Sequence, residues 1–174
     1  MGAYPGGNII RVTPTLSTDA YAQNDVLTNA TEIPNFSSGR GIAALLESVA
    51  LMDRNDTGPG SVSFDLIFCR GSFVNNTASA PTSAQQLGAA DAVVDITGAE
   101  AKAIEVCGHI NMTSTEGDLL TGSVVTKSNI GLVLEPHPGS TSIYVAGVYR
   151  FNPADTSTGS DATDGLDFYF GFKS

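Results

Sequence analysis

The sequence predicts an all-β sandwich, and three observations predict it. The chain ends in a strict alternation, with Leu166, Phe168, Phe170 and Phe172 interleaved with Asp167, Tyr169 and Gly171. A period of two puts the Leu and three Phe on one face of a sheet. Charged residues make up only 15% of the chain and 19 of its 174 residues are Gly, a makeup that supplies turns rather than long solvated helical faces. Finally, short apolar runs recur between clusters of Gly, Pro, Asn, Asp and Ser, with no repeat of fixed period.

Residues 1–8 hold three Gly and the Tyr4-Pro5 pair and read as a flexible N-terminal arm; residues 9–174 form a single domain. A chain of this size buries roughly 70% of its unfolded surface, enough for a core without staples. Ile9, Ile10 and Val12 make a first strand. Pro14 cannot donate to a ladder, so this strand belongs at a sheet edge. A second strand runs from about Asp25 to Ile33 and is closed by Pro34 and Ser37-Ser38-Gly39.

In the segment from Gly41 to Asp53, Ile42-Ala-Ala-Leu-Leu-Glu could form a helical turn, whereas Ser48 to Asp53 reads as a strand. The segment is assigned mainly as strand. Its partner is expected across the turn Arg54-Asn-Asp-Thr-Gly-Pro-Gly, where Val62, Phe64, Leu66 and Phe68 alternate with Ser61, Ser63 and Asp65, as a hairpin requires. A short helix is expected around Ser83 to Leu87. Another follows Thr97, whose spacing to Glu100 fits a capping box ahead of Ala101, Lys102 and Ala103. Further strands cover Ile104 to Met112, Ser123 to Glu135 with a break at Ser128-Asn129, and Thr141 to Phe151, ahead of the closing strand. The sum is a jelly-roll-like β-sandwich of about eight strands with one or two short helices.

Eight Lys and Arg against 18 Asp and Glu give a formal charge of −10, and the basic residues stand singly along the chain. Such a surface repels a phosphate backbone, so no direct nucleic-acid binding is expected. No run approaches membrane-spanning length, and the N-terminus lacks the basic and apolar regions of a secretory signal. Cys69 and Cys107 are too far apart for a metal or redox Cys-x-x-Cys motif. Buried thiols are the favoured reading, with a disulfide between neighbouring strands as the alternative.

Chemistry has few footholds. Cys107 and His109, two apart on one strand, would share a face and invite a thiolate-imidazole dyad, but a strand histidine beside a buried thiol is the plainer reading. His137, between Pro136 and Pro138, reads as an exposed loop residue. Asp53-x-Asn55-x-Thr57-Gly58 begins like a calcium loop, yet Phe64 stands where a bidentate Glu is required. Asp161, Asp164 and Asp167 read as solvation of a loop beside the last strand. Nucleotide-binding and hydrolase-elbow motifs are absent. Neither an enzyme nor a cofactor or metal requirement is expected.

Three phrases carry a resemblance: Ile10-Arg-Val-Thr-Pro-Thr-Leu-Ser-Thr-Asp-Ala-Tyr-Ala with Asp25-Val-Leu and Thr31-Glu-Ile-Pro; Lys127-Ser-Asn-Ile-Gly-Leu-Val; and the terminal Leu166-Asp-Phe-Tyr-Phe-Gly-Phe. Together they resemble a family of small bacteriophage virion proteins. The resemblance implies a capsid decoration or cement protein, a β-sandwich or jelly-roll homo-oligomer with a trimer favoured. Its partners would be the major capsid protein and itself, and its place the capsid exterior after synthesis in the host bacterial cytoplasm. In that role Tyr4 and Pro5 of the arm and Ile9, Ile10, Arg11 and Val12 of the edge strand are the expected contacts, the edge able to add a strand to a neighbour. The alternative is a phage tail, baseplate or receptor-binding carbohydrate module, with Tyr4, Tyr21, Tyr144, Tyr149 and Tyr169 as stacking candidates. The absence of Trp counts against that branch.

Overall fold

The computed structural model describes residues 7–16, 22–53, 62–70, 93–94, 105–114, 123–150 and 166–173. They form eight strands: β1 (Asn8–Val12), β2 (Val26–Ile33), β3 (Ala44–Asp53), β4 (Val62–Cys69), β5 (Val106–Ser114), β6 (Ser123–Leu134), β7 (Ile143–Tyr149) and β8 (Leu166–Lys173). Two four-stranded antiparallel sheets result, with orders β1-β8-β3-β6 and β2-β7-β4-β5. Successive strands alternate between the sheets except at β4 and β5, which pair directly. This is the strand order of a jelly roll.

No helix occurs among the described residues, and the two segments expected to be helical, Ser83 to Leu87 and Thr97 to Ala103, lie outside them. β1 stands at an edge, as Pro14 demands. One pairing is corrected. β3 and β4 are not a hairpin: β3 pairs with β6 and β8, and β4 with β5 and β7, in opposite sheets. Alternation specifies which face of a strand is apolar but not which strand lies beside it, and both strands bury their inward faces equally well across the sandwich.

The core lies between the sheets. From β8, Phe168, Phe170 and Phe172 point inward and are at most 2% exposed. Phe168 meets Phe64 edge-on at 6.3 Å between centroids, Phe170 meets Phe68 at 5.8 Å, and Phe172 meets Phe36 at 5.1 Å, within the range of favourable aromatic pairs. Val49, Leu51 and Leu46 of β3 and Leu66, Ile110, Met112 and Val145 of the other sheet complete the layer. The expected break at Ser128-Asn129 is a bulge inside one continuous strand. Leu46 pairs with Leu132 but Ser48 pairs with Ser128, leaving residues 129–131 opposite Glu47 alone. Asn129 (φ 56°) and Gly131 (φ 68°) supply the left-handed backbone the bulge needs.

The facing edges β5 and β6 close the sandwich at one side. Gly108 of β5 lies so close to β6 that a Cβ there would meet Leu132 and Leu134 at 2.8 Å. Lys127 Nζ donates to the Asn111 carbonyl at 2.9 Å, and Arg70 bridges Glu105 and Glu135.

Candidate functional site

The six residues expected at a partner contact fare differently. Tyr4 and Pro5 lie outside the described residues. Ile9 is 73% exposed at the edge of the first sheet, and Ile10 is half-buried against the core. Val12 belongs to the core at 5% exposure. Arg11 grips Asp167 of β8 with Nε and Nη2, each 2.9 Å from a carboxylate oxygen, and Thr13 Oγ1 donates to the same carboxylate at 2.6 Å. Asp167 is 1% exposed, so this bidentate pair fastens β1 to β8 and satisfies a buried charge. Asp167 is therefore a structural anchor rather than loop solvation; Asp161 and Asp164 lie outside the described residues.

Alternation and pairing define the outer face of the first sheet. Across the strands, Ile9, Gly171, Ser48 and Ser128 form one row; Arg11, Tyr169, Ala50 and Thr126 the next; Asp167, Met52 and Val124 a third; and Lys173, Leu45 and Val133 a fourth. Val133 is 62% exposed. Among the described residues the charged side chains here include Arg11 with Asp167, and Lys173 with Glu47 at 3.8 Å. Among the described residues this face is mostly apolar or small, and its charged side chains stand in ion pairs.

The second sheet differs. Val26, Cys69, Tyr144, Ala146 and Val148 form a separate buried cluster on its outer side, against which Ala30, Ile67 and Val94 pack. Val93 bridges Asp25 at the β2 edge, and Val94 N donates to the Asn24 carbonyl at 2.9 Å. Every residue of β7 is consequently buried. Toward β5 the same face turns polar. Asp65 receives hydrogen bonds from Asn111 Nδ2 (2.9 Å) and Arg150 Nε (2.6 Å), with His109 Nε2 at 3.2 Å, while Arg150 Nη1 reaches Asn24 Oδ1 at 2.6 Å. Burial pushes the Asp65 carboxyl up, but the hydrogen bonds from Asn111, Arg150 and His109 outweigh it and hold it below the ordinary carboxylate value.

This cluster of ionisable side chains is built for holding rather than for catalysis. Both Asp65 oxygens are occupied by donors, so the carboxylate is not poised to take a proton from a substrate. The expected face-sharing of Cys107 with His109 is broken by a bulge: Phe68 pairs with Gly108 but Cys69 with Val106, leaving Cys107 as the extra residue. Cys107 turns toward the main core, its thiol contacting the Phe68 carbonyl at 3.5 Å, whereas His109 faces outward to Asp65. Burial raises the Cys107 thiol to about 11. The two cysteines are not joined in a disulfide. No group of three or more metal-ligating side chains occurs among the described residues. The calcium-like phrase after Asp53 lies outside them, and His137 is a half-buried turn residue whose Nδ1 accepts from Gly139 N at 3.3 Å.

The stacking candidates are equally constrained. Tyr144 and Tyr149 are each 7% exposed, Tyr169 is half-buried on the first sheet, and Tyr4 and Tyr21 lie outside the described residues. Sequence reasoning missed Asp65, Asn111, Arg150 and Asn24, which are far apart in the chain and meet only through the pairing of β4 with β5 and β7.

Fold and surface thus define a jelly-roll β-sandwich whose first sheet exposes Ile9 and Val133 and whose second sheet buries the outward side chains of β7. Compared with known protein-family models and with curated proteins, the chain matches none.

Proposed function

We propose that this protein is a non-enzymatic bacteriophage capsid decoration protein, which binds the outer surface of the head and stabilises it as a symmetric homo-oligomer, a trimer being favoured. The observation that carries the reading is the chain-long resemblance of the three phrases. They fall on β1 and β2, on β6, and on β8, and three of those four strands belong to one sheet. The middle phrase, Lys127 to Val133, contains the Asn and Gly of the β6 bulge, so it carries a backbone requirement as well as an apolar pattern.

Supporting it, a cement protein needs a rigid scaffold and exposed contact surface but no reactive centre. The scaffold is an aromatic-packed sandwich, and the ionisable cluster around Asp65 is saturated by its own neighbours. Individually modest contacts repeated over a symmetric shell add up to firm retention. The capsid exterior is the corresponding location and the major capsid protein the corresponding partner. The burial of Tyr144 and Tyr149 weakens the alternative of a carbohydrate-binding tail module.

Antibody labelling of intact particles, read by electron microscopy, tests the reading. Label spaced regularly over the head is expected. Label confined to the tail would transfer the protein to the tail or receptor-binding class, and label absent from particles would overturn a virion role.

A further inference from the structure

We draw no further inference here: the strongest candidate, the partly exposed outer face of the β1-β8-β3-β6 sheet around Ile9, Tyr169 and Val133, carries nothing because nothing in the structure shows what covers it.

Discussion

The two sheets share one core but treat their outer faces in opposite ways. On the second sheet, Tyr144, Ala146 and Val148 point away from the main core and are nonetheless buried, beside an Asp65 held by Asn111, Arg150 and His109. On the first sheet, Leu45, Ala50, Met52, Tyr169 and Val133 also point outward but remain half-buried or exposed. A strand of this sandwich can thus be apolar on both faces for two different reasons. β7 is apolar because both of its faces are interior, whereas Leu45, Ala50, Met52 and Val133 are apolar on a surface that stays partly exposed.

The sharpest way to break this comparison is to place a charge on each outer face. Val148→Asp buries an unpaired carboxylate at a fully buried position, directly opposite Asp65 in the register, and should cost about 4 kcal/mol or more, leaving little folded protein in a denaturant titration. Phe170→Ala attacks the core that both sheets share. With its ring packed on Phe68, Phe168 and Phe172, its loss should cost about 3–5 kcal/mol by the same assay.

Asp65→Ala removes the acceptor that gathers the polar half of the second face and should cost about 1–3 kcal/mol near neutral pH. The folded-state value of Asp65 lies below its ordinary one. Its contribution is therefore complete above the ordinary carboxylate range and disappears as pH falls through the lowered value, so variant and parent should converge in strong acid. Urea midpoints measured from pH 7 downward would show that convergence.

For Cys107, raised by burial to about 11, native-state alkylation at pH 8 should be far slower than in the unfolded chain. The stabilisation linked to that raised value is complete below the ordinary thiol value and is lost as pH climbs toward 11. The smallest effect belongs to the open face. Val133→Glu should change stability by no more than about 0.5 kcal/mol, and a cost approaching that of Val148→Asp would abolish the distinction between the faces.

Much of the architecture was legible in the residues themselves. Period-two alternation identified β8 and β4, Pro14 put β1 at an edge, and Ser128-Asn129 marked the one place where β6 departs from regular pairing. These signals are local, because they depend on which face of a strand is apolar and on which residues tolerate a given φ. The candidate contact strand was legible to the same extent: its edge position could be read, but not that Arg11 is committed to Asp167 or that Val12 is buried.

What the sequence by itself determined, then, was the strand content, the inward faces and the turn chemistry. Tertiary structure alone decided that β3 and β4 part into different sheets, that a bulge separates Cys107 from His109, and that Asp65 meets Arg150 across 85 positions of chain. It alone also decided which outer face is covered and which stays open. The physical reason is that an apolar side chain specifies that it will be buried but not what will bury it. Long-range pairing supplies that choice, and no local pattern encodes it.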